Sequence, residues 1–280
     1  MKRRCFLIAL WWLSTAGFLG AQNRLMEALL GRPPEGYINR EWTVDGEKRT
    51  ALMRIPKELK ESVPVVFCWH GHGGNASHSV HSWGYDKVDT RSILIFPQGL
   101  NTPTPLVDKD GRFPGWQTAV GEQGDRDLHF FDAILADLKK EQKVDARRIY
   151  SMGHSNGAVF SYVLWEARPD ILAAIGPVAG CMTPKMHDFK PLPVIHIAGK
   201  KDPLVKYVWQ DATFTAVRQV NGCALEGTEW AKEGVLEASL YPSARGAPLV
   251  TALHAGGHEF PQESVVLIDR FFKENPKSVK

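Results

Sequence analysis

Apolar and polar positions along the chain fall into two periods, one of two residues and one near 3.6. Residues 38–56 alternate around Asp45-Gly46, a two-residue turn signal, and predict a β-hairpin. Continuous apolar runs follow at Pro64–Trp69 and Ser92–Phe96, the second ending in Pro97-Gln98-Gly99. Runs of this length fit strands buried on both faces. Asp127–Lys140 sets Leu128, Phe131, Ile134, Leu135 and Leu138 at helical spacing. Beyond it the pattern predicts a strand at Arg148–Met152, a helix at Ala158–Ala167, and strands at Ile171–Val178 and Pro193–Ala198. A helix at Thr213–Asn221, closed by Asn221-Gly222, then precedes a strand at Leu249–His254 and a helix at Ser264–Lys273. Strands alternating with helices predict a single α/β domain with a mostly parallel central sheet covered on both faces. The stretches 99–126 and 222–247, rich in Gly, Pro and polar residues, are expected as loops over the sheet. The segment from Cys181 to Pro193 is too short for a lid domain.

Composition narrows the class. With 44% hydrophobic and 23% charged residues in 280, the chain can bury a large core and is neither disordered nor fibrous. Its formal charge is +3, and Lys2, Arg3 and Arg4 supply that excess. The near-neutral remainder offers no basic footprint for nucleic acid. Those three cations precede the uncharged run Cys5–Ala16 and the small residues Gly17, Gly20 and Ala21, the layout of a secretory signal peptide. Residues 1–21 are therefore expected to be removed, leaving 22–280 as a secreted or periplasmic domain without a membrane anchor. Of the remaining cysteines, Cys68 reads as a buried thiol, and Cys181 with Cys223 is the favoured disulfide pair.

The sharpest chemical signal is Gly153-His154-Ser155-Asn156-Gly157, set between a predicted strand and a predicted helix. A nucleophile elbow needs this context, because the serine hydroxyl must project from a strained turn at the end of a strand. Trp69-His70-Gly71-His72-Gly73-Gly74 follows a buried strand and can supply backbone N–H groups to an oxyanion. The donors assigned are the N–H groups of His72 and Asn156. A serine nucleophile needs a base, and the base an orienting carboxylate, in the chain order Ser, Asp or Glu, His. Beyond Asp202 only His254 and His258 remain. His258, after Ala255-Gly256-Gly257, is the favoured base, with His254 the alternative. Asp202, after Gly199-Lys200-Lys201, is the favoured acid, with Asp188 and Asp211 as alternatives. His154 and Trp116 are candidate substrate-lining residues. His72, His78 and His81 lack an accompanying acidic ligand, and a serine mechanism calls for no metal or cofactor.

These residues and their order resemble the secreted esterase family that joins polyhydroxybutyrate depolymerases to feruloyl and acetylxylan esterases. The resemblance runs from about 38 to 275, through His70-Gly71-x-Gly73-Gly74, Ile95–Leu100, Val144–Tyr150, Gly153–Gly157, Gly199-x-x-Asp202 and Gly256–Pro261. It departs at Ala158, where relatives often carry glycine, at Phe260, where they often carry tryptophan, and at Cys223, which has no later cysteine to pair with. The resemblance implies an α/β-hydrolase fold and a serine carboxylesterase with nucleophile Ser155, acid Asp202, base His258 and an ester substrate. A serine peptidase of the same fold and a non-catalytic binding protein on a hydrolase scaffold are the alternatives.

Overall fold

The computed structural model describes residues 33–57 and 61–278, so the expected signal segment 1–21 lies outside the described residues. The predicted hairpin forms as β1 (Ile38–Val44) and β2 (Glu47–Arg54). Asp45 and Gly46 both take positive φ, at 52° and 84°, as a tight turn between twisted strands requires. The apolar runs become β3 (Val63–Trp69) and β4 (Ile93–Pro97), with α1 (Ala76–Trp83) and the single turn α2 (Tyr85–Val88) between them. β5 (Leu100–Asn101) and β6 (Pro114–Gly115) form a small separate ladder. The amphipathic α3 (Arg126–Glu141) leads into β7 (Val144–His154) and α4 (Asn156–Ala167). β8 (Ala174–Val178), β9 (Val194–Gly199), α5 (Tyr207–Asn221), β10 (Thr228–Glu233), β11 (Leu236–Tyr241), β12 (Leu249–His254) and α6 (Ser264–Glu274) complete the unit.

Ten strands share one sheet in the order β1-β2-β4-β3-β7-β8-β9-β12-β11-β10. The six from β4 to β12 are parallel neighbours, and an antiparallel hairpin flanks them at each edge. Two apolar clusters lie on the two faces. One gathers Phe67, Trp69, Phe131, Ile134, Phe160 and Trp165; the other gathers Val66, Phe96, Tyr150, Ile268 and Phe271. Alternate residues of β3 divide between the clusters, as the two-residue period of a strand demands.

Two expectations change. Residues 222–247 are not a loop: they hold β10 and β11, which extend the sheet. Their only strongly apolar face is narrow, with Leu236 and Ala238 buried and charged residues between, so the strand signal is weak. The Cys181–Cys223 disulfide is absent, and Cys68, Cys181 and Cys223 are free thiols. Met182 N–H donates to Thr213 Oγ1 at mid-α5, whereas Cys223 lies beyond the end of that helix. Ten helical residues at 1.5 Å each put roughly 15 Å between Thr213 and Cys223, too far for a bridge from Cys181. Among the described residues no helix is long and apolar enough to cross a membrane.

Candidate active site

β7 runs directly into Ser155, the N-cap of α4, which has φ 55° and ψ −117°. A residue with a Cβ enters this region only when its surroundings impose it. Here the Ser155 N–H donates to Val178 O at 2.9 Å, and Ser155 O accepts from the Ala158 and Val159 N–H groups at 2.9 and 3.0 Å. The turn closes because the flanking positions are glycine. A Cβ on Gly153 would run into the Gly157 carbonyl, and one on Gly157 into the carbonyls of Trp69 and His70. The Gly-x-Ser-x-Gly spacing thus produces the strained turn, and the turn lifts the hydroxyl off the end of the sheet.

Asp202 and His258 sit in the loops after β9 and β12, neighbouring parallel strands. The two loops are tied together: Lys200 N–H donates to His254 O and Lys201 N–H to Gly256 O, both at 2.9 Å. His258 Nε2 lies 2.8 Å from Ser155 Oγ, and His258 Nδ1 lies 2.8 Å from Asp202 Oδ2. A carboxylate only accepts, so Nδ1 carries the proton and Nε2 accepts from the serine hydroxyl. Asp202 Oδ1 accepts from the Leu204 and Val205 N–H groups at 2.8 and 2.9 Å. The Asp202 side chain is wholly buried, and its one ion-pair partner among the described residues is His258.

The loop after β3 faces this group. Gly74 N–H donates to Gly71 O at 2.9 Å, and Gly73 N–H donates to Pro114 O in β6 at 2.8 Å. His70, buried beneath, donates from Nδ1 to Gly71 O at 2.8 Å and accepts at Nε2 from the Gly99 N–H at 3.0 Å. Burial lowers its pKa to about 4, which keeps it neutral in that role. His72 Nε2 lies 3.0 Å from Asp108 Oδ2. Asn156 clasps the main chain of Trp116, accepting from its N–H at 2.7 Å and donating to its carbonyl at 3.0 Å. As the first residue of α4, Asn156 has a backbone N–H with no intrahelical acceptor. The His72 loop and the start of α4 are therefore fastened to one strip, Pro114–Trp116.

Solved structures share this arrangement of strands. A Bacillus cereus carboxylesterase superposes with a TM-score of 0.57 at 18% identity, covering 81% of this chain and 94% of its own. An acetyl xylan esterase from Aspergillus awamori gives 0.59 at 13%, covering 84% and 98%. The chain has the α/β-hydrolase fold. No protein-family model matches it. By sequence it is 24% identical over 168 residues to a bifunctional acetylxylan esterase/xylanase of Neocallimastix patriciarum, spanning 58% of this chain but 22% of that protein. It is 26% identical over 167 residues to a feruloyl esterase C of Emericella nidulans, spanning 56% of each. The chain thus covers little more than half, or less, of the length of these relatives.

Around this site the alternatives fall apart. His254 is buried in β12, where its Nδ1 accepts the Gly256 N–H at 3.2 Å. Asp188 is exposed, and Asp211 lies exposed within α5. His154 lies beside His258, with ring centroids 5.1 Å apart. Burial, then repulsion from His258, lowers the His154 pKa to about 3, so its imidazole stays neutral. Trp116 does not line an open surface. Its ring is 0% exposed, packed edge-on to Trp69 at 4.9 Å, with Nε1 donating to His70 O at 2.9 Å. It supports the site from behind. His78 and His81 ride on the exposed face of α1, apart from His72. Sequence reasoning placed His70 in the glycine-rich motif without giving it a role, and it missed Gln210, a polar residue on a buried helix face with no spacing signal to mark it.

Proposed function

We propose that this protein is a serine carboxylic ester hydrolase working through an acyl-enzyme. The observation that carries the reading is the unbroken chain Ser155–His258–Asp202, with both links at 2.8 Å. His258 takes the Ser155 proton as Oγ attacks an ester carbonyl, and returns it to the departing alcohol. Water activated by His258 then releases the acid. Asp202 holds the imidazole tautomer and stabilises its charged form. The N–H groups of His72 and Asn156 are the assigned donors to the oxyanion, and α4 adds the positive end of its dipole. The residues need no metal or cofactor for these steps.

The substrate class we assign is a soluble aryl or acetyl ester of plant polysaccharide, or a short hydroxyalkanoate oligomer, met outside the cytoplasm after export. The names of the relatives favour the former. So does Phe113, 56% exposed and 6.5 Å from the His72 ring, an aromatic surface beside the assigned oxyanion donor. The test is acid release from methyl ferulate and from 3-hydroxybutyrate oligomers, with Ser155→Ala as the blank. The wild type is expected to act on one of them, and Ser155→Ala to lose at least about a thousandfold in kcat. Wild-type turnover by Ser155→Ala would overturn the mechanism; activity on neither ester, with Ser155 still labelled by a fluorophosphonate, would overturn only the substrate class.

A further inference from the structure

Asp202 Oδ2, the oxygen that binds His258, has a second donor. Gln210 Nε2 reaches it at 3.3 Å and also reaches Val205 O at 2.7 Å. Gln210 is 0% exposed, an unusual place for an amide on the first turns of an otherwise amphipathic α5. Both of those neighbours only accept, so the amide nitrogen must face them and the amide oxygen must face the other way. It faces His196 in β9, whose Nε2 lies 3.0 Å from Gln210 Oε1. His196 therefore carries its proton on Nε2, and Nδ1 is left to accept. The Tyr162 hydroxyl supplies that proton at 2.6 Å. Every direction in the chain is fixed: Tyr162 donates to His196, His196 to Gln210, Gln210 to Asp202.

His196 and Tyr162 are wholly buried, and burial keeps both neutral, lowering the His196 pKa to about 4 and raising that of Tyr162. Charge therefore does not enter the chain from its far end. Tyr162 stands on α4, the helix that Ser155 caps, so the polar path returns to the element that bears the nucleophile. We propose that Gln210 is a positioning residue for the acid–base pair, and that Tyr162 and His196 exist to hold its amide in the one orientation that places an N–H on Asp202. The inference rests on the esterase reading of Ser155, Asp202 and His258. Asp202 is then an anion balanced by N–H dipoles, with His258 as the sole ion-pair partner among the described residues. Loss of the Gln210 N–H loosens the carboxylate and removes positive potential beside the imidazole. His154, Cys181 and His254 also sense Asp202 electrostatically, and none changes in the variants below.

The experiment is a pH profile of kcat and KM for three variants on the best ester found for the wild type. Gln210→Leu is expected to lower kcat about tenfold with KM unchanged. Gln210→Glu is expected to lower kcat and to move the acid limb of kcat/KM to higher pH, because a second carboxyl beside Asp202 favours protonated His258. Tyr162→Phe removes one distant hydroxyl, frees the His196 tautomer and the Gln210 amide, and is expected to cost about fivefold in kcat. Tyr162→Phe also keeps the test alive if changes at 210 prevent folding. Folded variants with wild-type kcat and acid limb would overturn the proposal. Lower kcat with an unmoved acid limb in Gln210→Glu and a matching fall in melting temperature would overturn it too, since that is what plain packing loss gives. Failure of the esterase reading shows separately, as wild-type protein without turnover or Ser155→Ala that retains it.

Discussion

Acidification to pH 5 should destabilise this protein well before its carboxylates titrate. His70 and His196 are 1% and 0% exposed, and burial lowers each pKa from 6.5 to about 4. Both act as neutral imidazoles with one nitrogen donating and the other accepting. Because the folded value lies below the unfolded one, their contribution is whole above pH 6.5 and is lost as pH falls towards 4. At pH 5 the unfolded chain binds almost a full proton at each site and the folded chain almost none. The difference from pH 7.5 comes to about 2 kcal/mol per histidine, or about 4 kcal/mol for the pair. Against a total stability of about 5–15 kcal/mol this is a large fraction. Urea unfolding followed by tryptophan fluorescence at pH 7.5 and 5.0, extrapolated to water, measures it directly. A difference below about 1 kcal/mol would refute the reasoning, because it would mean the two rings reach water in the folded state or trade their bonds at no cost.

Other consequences are open to direct measurement. Gly157→Ala drives a methyl into the Trp69 carbonyl at the elbow, and should leave little folded protein in a circular dichroism melt. Arg49 and Asp127 form a buried pair at 2.8 Å, with Gln117 N–H also on Asp127 at 2.9 Å. Arg49→Met should cost about 3–5 kcal/mol in urea unfolding, and the double change Arg49→Met with Asp127→Asn should cost less than the sum of the single changes. Since Cys181 and Cys223 are free, dithiothreitol should leave the melting temperature unchanged, and each should react with a thiol reagent once the chain is unfolded.

The parallel core was legible because its strands are apolar on both faces: Pro64–Trp69 and Ser92–Phe96 lie close to β3 and β4. The elbow was legible because steric demands at Gly153 and Gly157 leave a fixed spacing in the sequence. The start of α5 was not. Its first turns put Val208 and Trp209 towards solvent, 65% and 38% exposed, and Gln210 towards the core. That inversion of the usual amphipathic pattern hides six residues of helix, and it comes from the amide that supports Asp202. The β10–β11 hairpin was hidden for a related reason: edge strands bury one narrow face, and charges fill the rest. Trp116 misled because a tryptophan in a Gly- and Pro-rich loop looks available to a ligand, whereas Asn156 binds its main chain and Trp69 covers its ring.

The two edge hairpins have a bearing on how the molecule behaves in a crowd. Six parallel strands alone would leave raw rows of N–H and C=O groups at both sides, open templates for any passing extended chain. Here the outermost strands are β1, with Arg40 and Glu41, and β10, with Glu229, Lys232 and Glu233. Stacking a second copy against either would force these charged side chains out of water. The sheet therefore ends in guarded borders, which favours a protein that stays dispersed at high concentration.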